Sequence, residues 1–482
     1  MHLTTILLGI IFILNLIFAT IVLFLERRDA GTTWAWLLVL FFIPILGFIL
    51  YLLFGQNLSR RHLFQWEDLK KTGFEKVVST QLAEIHSNQF QFRNPASRNN
   101  RDLIYMQLMN NQAYLSEDNA VDLFIDGRLK FEQLFKDIEA ANEYIHLQYY
   151  IIKNDRLGKK LIELLTKKAE AGIQVRVLYD ELGSRSLPKR LFKNFRAAGG
   201  QVEVFFPSKL RFINLRMNFR NHRKLVIIDG KIGYVGGFNV GDEYLGLNER
   251  FGYWRDTHLR IQGKAVDALQ TRFILDWNQA SRKYDISYVP NLFPKDVPHG
   301  NVGIQIVTSG PDSDLEQIKN GYIKMILTAK KNVYIQTPYF IPDASLLDAL
   351  RIACLSGVEV NIMIPDKPDH PFVYWATMSH IGRLLETGAH VYIYKKGFIH
   401  AKTIVVDKEI ASVGTANIDV RSFKLNFEVN AFLYDQTLAE KLANIFIEDC
   451  NDCQLLTLEE YQRRPLWIRF KESISRLVSP IL

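Results

Sequence analysis

The sequence predicts an α/β protein of two similar α/β sandwich units, related by pseudo-two-fold symmetry and preceded by a transmembrane helical hairpin. Three observations support this fold class. A motif of His, Lys, Asp, Gly and Asn occurs twice with identical spacing. Around each copy, short β-branched runs alternate with helix-like runs, as in α/β domains. Two long apolar runs without a charged residue stand at the start of the chain.

The two apolar runs cover residues 3–25 and 34–54. Each exceeds the ~20 residues that a helix needs to cross the core of a bilayer, and Trp34 and Trp36 suit anchors at the membrane interface. A secretory signal peptide is the alternative for the first run, but no Lys or Arg precedes it. Two such runs in tandem also disfavour buried core helices. We therefore predict two transmembrane helices in residues 1–56.

Basic residues set the predicted orientation of this hairpin. The loop between the runs carries Arg27 and Arg28, whereas four basic residues follow the second run: Arg60, Arg61, Lys70 and Lys71. An excess of Lys and Arg marks the cytoplasmic side of a span, so the domain that follows is expected in the cytoplasm. Residues 57–119 are mostly polar, and we predict that they link the membrane to the catalytic body.

The duplicated motif fits H-x-K-x4-D-x6-G-x2-N in both copies. Its residues are His222, Lys224, Asp229, Gly236 and Asn239 in the first copy, and His400, Lys402, Asp407, Gly414 and Asn417 in the second. Each copy lies on a short apolar run that predicts a strand, followed in the first copy by a hairpin turn at Asp229-Gly230. Side chains two apart on a strand share a face, so His and Lys point the same way. The two Asp residues have the opposite parity and are expected to support the structure.

An imidazole beside an ammonium group, presented twice, suits an anionic phosphodiester. One His would attack phosphorus while the other protonates the leaving alcohol. The two Lys and two Asn would hold the non-bridging oxygens and offset the charge that develops in the transition state. Because these cations take the place of a metal ion, we expect no metal and no cofactor.

The repeat extends beyond the motif. Residues 140–151 parallel 329–340, and similar Gly-led strands begin at Gly172 and Gly357 and again at Gly200 and Gly388. We therefore predict a first unit over residues 120–290 and a second over 291–460, which bring His222 near His400. At residues 461–482, apolar side chains at helical spacing predict an amphipathic helix, which either lies in the membrane plane or docks on the protein core.

A net charge of +8 favours an anionic partner. Between residues 205 and 228 there is no acid, and six basic residues alternate with aliphatic and aromatic ones: Lys209, Arg211, Arg216, Arg220, Arg223 and Lys224. This composition favours an anionic membrane surface over a nucleic-acid track or a solvated basic face. Three Cys residues form no even disulfide framework, and we expect reduced thiols. Residues 365–382 are expected to form either an ordinary loop that enters a helix, or a lid or acceptor pocket.

The duplicated motif resembles the HKD motif of the phospholipase D superfamily. With the apolar hairpin and residues 146–150, 238–246, 254–258, 308–312 and 416–426, the chain is similar to bacterial cardiolipin synthases over essentially its whole length. The resemblance implies a metal-independent enzyme of the bacterial cell membrane that works through a phosphohistidine. It would convert two phosphatidylglycerol molecules to cardiolipin and glycerol, with no nucleic-acid partner.

The resemblance also assigns roles to two acids downstream of the motifs. Asp256 and Glu428 would each hold a catalytic imidazole in its working tautomer. This chain departs from the family at Gly237 and Thr415, where Ser is usual, so the first half-site lacks the expected hydroxyl.

Several alternatives stay open from the residues alone. Hydrolysis of a phospholipid or transfer to another alcohol needs the same site, and a membrane-tethered nuclease or a lipid-binding scaffold is a more distant alternative. The near-symmetric pair does not decide the nucleophile, and we choose His222, with His400 as the acid. The oligomeric state is not predicted.

Overall fold

The computed structural model describes residues 6, 9–10, 13–20, 30–43, 47, 51, 74–207, 219–281, 283–294, 299–367 and 369–478. The chain divides into two compact units, Met1–Gln65 with Pro207–Phe219 and Trp66–Phe206 with Arg220–Leu482. In the first of these, residues 13–20 and α1 (Ala30–Phe42) are helical. About half of the two predicted transmembrane runs falls outside the described residues: 3–5, 7–8, 11–12, 21–25, 44–46, 48–50 and 52–54. Within the described ranges, no helix has the length and hydropathy required to cross a membrane.

The second unit carries both copies of the motif, and its helices and strands alternate along the chain. The helices are α2 (Phe74–His86), α3 (Pro95–Asn99), α4 (Arg101–Asn111), α5 (Gly127–Ala140), α6 (Arg156–Glu170), α7 (Lys193–Ala197), α8 (Ala265–Ala280), α9 (Gln317–Thr328), α10 (Ala344–Leu355), α11 (Pro371–Leu385), α12 (Val420–Lys424), α13 (Gln436–Asp449), α14 (Leu458–Gln462) and α15 (Leu466–Val478).

The strands of the first half precede Pro290, and those of the second half follow it. The first set is β1 (Ser116–Asp126), β2 (Tyr144–Tyr149), β3 (Gln174–Asp180), β4 (Gln201–Phe205), β5 (Arg220–Asn221), β6 (Leu225–Ile228), β7 (Ile232–Gly236) and β8 (Tyr253–Gln262). The second set is β9 (Val302–Ser309), β10 (Asn332–Gln336), β11 (Phe340–Ile341), β12 (Glu359–Pro365), β13 (His390–Tyr394), β14 (Gly397–Ile399), β15 (Thr403–Val406), β16 (Ile410–Gly414), β17 (Ile418–Asp419), β18 (Asn426–Tyr434) and β19 (Cys453–Leu456).

The two halves repeat one strand order. In the first half the neighbours run β4-β3-β2-β6-β7-β8-β1, parallel from β4 to β2 and antiparallel beyond. In the second half they run β13-β12-β10-β15-β16-β18-β9 with the same directions. Buried apolar side chains from each sheet and its helices form the cores. This architecture agrees with the predicted pair of α/β sandwich units.

The seven-stranded sheet of each half contains two strands more than the sequence pattern indicated. These strands are β1 and β8 in the first half and β9 and β18 in the second, and β8 and β18 carry the two acids, Asp256 and Glu428. β8 and β18 are long strands that pair on both sides within their sheets. Their polar residues interrupt the apolar pattern because they face the site instead of a core.

Residues 74–111 differ from the polar linker expected there. They form α2, α3 and α4, and six of their apolar side chains are buried in the core of the second half: Val78, Ile85, Ala96, Leu103, Ile104 and Leu108. The linker prediction rested on the mixed, polar composition of residues 57–119 as a whole, within which α2 and α4 carry apolar residues. Residues 57–73, the rest of the expected linker before α2, are outside the described ranges.

The C-terminal helix of the prediction is present as α15, with the short α14 before it. α15 packs against α11, but the large apolar side chains of its described residues are exposed, so this stripe does not dock on the protein core. Residues 479–482 are outside the described part of the chain. Within residues 365–382, α11 begins at Pro371, as expected for a loop that enters a helix.

The motif aspartates close the two hairpins. Asp229 has φ of +52° and accepts three backbone N–H bonds at 2.8–2.9 Å from the residues that start β2: Asn142, Glu143 and Tyr144. Asp407 repeats this at 2.7–3.0 Å with Lys330, Lys331 and Asn332. Each carboxylate therefore ties the motif hairpin to the strand beside it.

We predict that Asp229→Asn destabilises the protein by about 2–3 kcal/mol, because bonds to a charged acceptor are worth about 1.5–3 kcal/mol. Asn tolerates the left-handed φ at this turn, so the change isolates the charge. Denaturant unfolding measures it, with exposed Asp285→Asn as the control. Equal stabilities of the two variants would contradict the supporting role.

Candidate active site

Two short parallel strand pairings bring the half-sites together. β5, which leads into His222, pairs with the start of β18 from the other half. β14, which leads into His400, pairs in the same way with the start of β8. The backbone N–H of His222 donates to Phe427 O at 2.9 Å, and that of His400 donates to Arg255 O at 2.7 Å. Each histidine is therefore placed beside the acid of the opposite half.

The imidazole of His222 is held by Glu428. Its Nδ1 donates to Glu428 Oε2 at 2.9 Å, across 206 residues of sequence. The Glu428 carboxylate is fully buried, and its Oε2 also accepts the Thr415 hydroxyl at 2.6 Å. Because a carboxylate can only accept, Nδ1 carries the proton and Nε2 keeps its lone pair.

His400 repeats this arrangement with Asp256. Its Nδ1 donates to Asp256 Oδ2 at 2.5 Å. Asp256 is fully buried and also accepts the Thr257 backbone N–H at 2.7 Å. Burial would raise the pKa of Asp256, but His400 and Lys402 outweigh it and lower that pKa. The carboxylate therefore stays ionised beside its histidine.

The two positions that depart from the family pattern, Gly237 and Thr415, each lie beside an acid that holds a catalytic histidine. A Cβ at Gly237 would lie 1.9 Å from Asp256 Oδ1, so the short acid of one half-site fills the space of a side chain. In the other half-site, Thr415 supplies a hydroxyl to the longer acid, Glu428. The hydroxyl contact missing from the first half-site is thus replaced there by close packing of Asp256 on glycine.

Burial shifts the pKa of both histidines downward. It lowers the pKa of His222 to about 4, with Glu428 opposing the shift and Lys224 adding to it. It lowers the pKa of His400 to about 4 as well, with Lys402 adding to the shift and Asp256 opposing it. Both imidazoles are therefore neutral at pH 7 before an anion binds.

The motif lysines lie beneath the histidines. Lys224 Nζ donates to His222 O at 2.6 Å, and Lys402 Nζ donates to His400 O. Burial lowers the pKa of Lys224 to about 7 and that of Lys402 to about 8, and each lysine depresses the pKa of the other half's histidine. The four groups thus form one electrostatic unit.

The motif asparagines are buried beside the histidines. Asn239 accepts the Ile151 N–H at 3.2 Å through Oδ1, and its Nδ2 donates to Tyr244 OH at 3.0 Å. Asn417 is 5% exposed, and its Oδ1 has no hydrogen-bond partner among the described residues. Both asparagines line the same cavity as the two histidines.

This cavity has a volume of about 360 Å³. The Tyr150 ring stands 4.8 Å from that of His222, and the Trp254 ring stands 5.2 Å from that of His400. Four further side chains of its lining were not predicted as site residues: Tyr339, Asp369, Arg220 and Arg421. Tyr150 and Tyr339 occupy equivalent positions of the sequence repeat, which is the signal that could have found them.

The basic stretch at residues 205–228 does not present all its charges to a surface. Arg223 is 1% exposed and donates to both carboxylate oxygens of Asp276, at 2.7 and 2.9 Å. Lys224 belongs to the buried site. The interpretation of these two residues as membrane contacts is therefore wrong, because Arg223 neutralises the buried Asp276 and Lys224 donates to the His222 carbonyl inside the site. Residues 208–218 are outside the described ranges.

No group of three or more His, Cys, Asp and Glu residues able to hold a metal ion occurs within the described ranges. Two neutral imidazoles, each oriented by a carboxylate, can act as nucleophile and as proton carrier at one phosphorus atom. Two buried ammonium groups can balance a phosphodiester charge.

Comparison with known proteins identifies the same chemistry. The family model described as cardiolipin synthase, PLD-like domain, matches residues 134–277 and 322–450, and the phospholipase D-nuclease N-terminal model matches residues 13–56. The chain is 70% identical to the major cardiolipin synthase of Bacillus subtilis strain 168 over 482 residues, which covers 100% of both chains. The cardiolipin synthase of Oceanobacillus iheyensis is 57% identical with the same coverage.

Among solved structures, the phosphatidylserine synthase of Haemophilus influenzae Rd KW20 has a similar fold. The TM-score is 0.61 at 14% identity, and the match covers 79% of this chain and 100% of that one. The similarity confirms the fold, and the full-length relatives identify the family. The chain therefore belongs to the cardiolipin synthases, phosphatidyltransferases of the phospholipase D superfamily.

Proposed function

We propose that this protein acts in the bacterial cell membrane and joins two phosphatidylglycerol molecules into cardiolipin, with release of glycerol, through a phosphohistidine. The main support is the cavity shared by His222 and His400, in which each imidazole is oriented by a carboxylate of the other half. The family membership supports the phospholipid substrate.

In the first step, His222 Nε2 attacks the phosphorus of one phosphatidylglycerol. The new N–P bond forms as the P–O bond to the headgroup glycerol breaks. His400, protonated at Nε2, gives its proton to the departing glycerol oxygen. The negative charge of the bound phosphodiester favours this protonated form, which burial alone disfavours.

In the second step, the headgroup hydroxyl of another phosphatidylglycerol gives its proton to His400. The resulting oxygen attacks phosphorus, the N–P bond breaks, and His222 regains its lone pair. Both steps use Nε2 of His222 and Nε2 of His400. His400 donates a proton in the first step and accepts one in the second, as microscopic reversibility requires.

The motif lysines and asparagines would stabilise the phosphoryl oxygens: Lys224, Lys402, Asn239 and Asn417. A phosphodiester in this buried setting raises the pKa of both lysines and keeps them charged. Glu428 and Asp256 act as positioning residues, since each holds Nδ1 of a histidine and leaves Nε2 for the reaction. Asp229 and Asp407 act through the hairpin geometry.

Transfer to a lipid alcohol is favoured over hydrolysis by the cavity wall. Arg220 and Arg421 line it together with the histidines, and two guanidinium groups suit an acceptor that brings a second phosphodiester. The aromatic rings of Tyr150 and Trp254 cover the histidines and limit access for water. A phospholipase D-type hydrolase, transfer to another alcohol and, more distantly, a membrane-tethered nuclease are the alternatives.

We further propose that residues 1–56 form the transmembrane hairpin, with the catalytic units in the cytoplasm. The uncharged runs at 3–25 and 34–54 support this, as does the match of residues 13–56 to the N-terminal family model. The catalytic units are proposed at 120–290 and 291–460, followed by the amphipathic C-terminal helix within 461–482.

Purified full-length protein with phosphatidylglycerol vesicles and EDTA tests the proposed reaction. We expect cardiolipin and glycerol in equal amounts, and activity that EDTA leaves unchanged. Phosphatidic acid as the main product would favour the hydrolase, and loss of activity with EDTA would contradict catalysis without a metal. His400→Ala, expected to lose at least about 10³-fold in turnover, is the background control.

The pH dependence of kcat/KM reports the groups of the free enzyme. We expect it to fall below about pH 4, where His222 becomes protonated, and to fall above about pH 7–8, where Lys224 and Lys402 lose their charges. The alkaline limb of kcat should lie at higher pH, because bound substrate raises both lysine pKa values. An alkaline limb at the same pH for kcat and kcat/KM would contradict this account.

A further inference from the structure

We propose that α15 and the start of α11 form a docking face for an anionic phospholipid bilayer, placed next to the mouth of the catalytic cavity. The proposal rests on the lipid substrate of the proposed function and adds the surface that presents the cavity to the membrane.

The orientation of α15 is the first observation. Its large apolar side chains are exposed: Leu466, Trp467, Phe470, Ile474 and Leu477. On its opposite side, Glu472 is 4% exposed and Ser475 is fully buried. A helix on a soluble protein normally turns its apolar stripe inward. Here the polar side faces the protein and the apolar side faces outward.

Specific contacts hold the helix in this orientation. Glu472 pairs with Arg464 at 3.2 Å, and the Arg464 guanidinium stands 3.1 Å from the centre of the Tyr461 ring. Tyr461 OH donates to Met378 O of α11 at 2.9 Å. A Cβ at Gly382 of α11 would lie 2.3 Å from the Tyr461 hydroxyl oxygen. Glu472 is therefore tied to the segment that precedes α15, and Tyr461 anchors this segment on α11, which leaves the apolar side of α15 outward.

The exposed face continues to the cavity along α11. Val373 lines the cavity, and Phe372 beside it is 52% exposed. The Phe372 ring lies 5.6 Å from that of Trp375. Lys471 of α15 bridges the helices, with its Nζ 4.8 Å from the Trp375 ring and 5.3 Å from the Trp467 ring. An apolar path therefore runs from the cavity wall to α15.

The charge of this segment favours an anionic bilayer as the occupant. α15 carries three basic residues, Arg469, Lys471 and Arg476, and one acid, Glu472, which is paired with Arg464. Basic residues that flank an apolar face bind anionic lipid surfaces. The same charge would repel a second copy of this helix, so self-association is the less favoured occupant.

The depth of α15 in a membrane can be measured without using activity. In the full chain with its three cysteines changed to Ala, Phe470→Cys carries an environment-sensitive fluorophore. Leu355→Cys is the matched control, since Leu355 is 72% exposed on α10, outside this face. The protein is reconstituted in vesicles of phosphatidylglycerol and phosphatidylcholine that carry a nitroxide on the acyl chain.

We expect emission at residue 470 to shift to the blue and to be quenched by the nitroxide, with neither change at residue 355. Equal, unquenched emission at both positions would overturn the proposal. A blue shift without quenching, which grows with protein density, would identify a second copy as the occupant and also overturn it.

A catalytic arm separates this proposal from the proposed function. Phe470→Glu with Leu477→Glu should raise KM for vesicle phosphatidylglycerol by about fivefold or more and leave kcat in detergent micelles within about twofold. Leu355→Glu should change neither quantity. An unchanged KM in vesicles would contradict the docking face. Absence of cardiolipin from every variant, with the fluorescence result intact, would instead reject the proposed function alone.

Discussion

The active site depends on two short strand pairings that join the two halves of the catalytic unit. Each histidine follows a short strand that pairs in parallel with the acid-bearing strand of the other half. The backbone bonds at His222 and His400 fix the distance, so Nδ1 meets a carboxylate at 2.9 Å in one pair and 2.5 Å in the other. Neither half holds a complete histidine–carboxylate pair by itself. The duplication therefore yields one centre with two unlike roles.

Burial sets the electrostatics of this centre. Two carboxylates and two ammonium groups balance one another in the empty cavity, and burial keeps both histidines neutral. A phosphodiester adds one negative charge, which favours charged lysines and a protonated histidine at the same time. Binding of the substrate thus prepares the proton donor that the reaction requires. The tight fit of Asp256 on Gly237 shows how little space this arrangement leaves.

Much of the fold and the motif chemistry could be predicted from the sequence. Identical spacing revealed the repeat, and the supporting role expected for Asp229 agrees with its bonds to backbone N–H groups. The strand expected at His222 and Lys224 is absent, because both residues lie between β5 and β6. The sequence did not predict that each histidine pairs with the acid of the other half, because Glu428 and Asp256 each follow their own motif. Only the pairing of β5 with β18 and of β14 with β8 decides their partners.

Other features depend on tertiary contacts that a pattern of residue types does not specify. The helices at residues 74–111 were missed because the region 57–119 is polar and mixed as a whole, although α2 and α4 contribute buried apolar side chains to the core. The apolar stripe of α15 was visible, but the polar contacts of Glu472 and Tyr461 decide which side faces the protein. Burial of Arg223 follows from a bidentate bond to Asp276, which lies far along the chain.

Trapping of the covalent intermediate tests most directly whether two half-sites form one centre with two roles. Full-length His222→Ala and His400→Ala variants are incubated with phosphatidylglycerol labelled in the phosphate, quenched, and analysed by peptide mass spectrometry. We expect a phosphoamidate on His222 in the His400→Ala variant and no label in the His222→Ala variant. Label on His400 of the His222→Ala variant would reverse the assigned roles. Label in both variants, each on its remaining histidine, would contradict a single centre of two unlike roles.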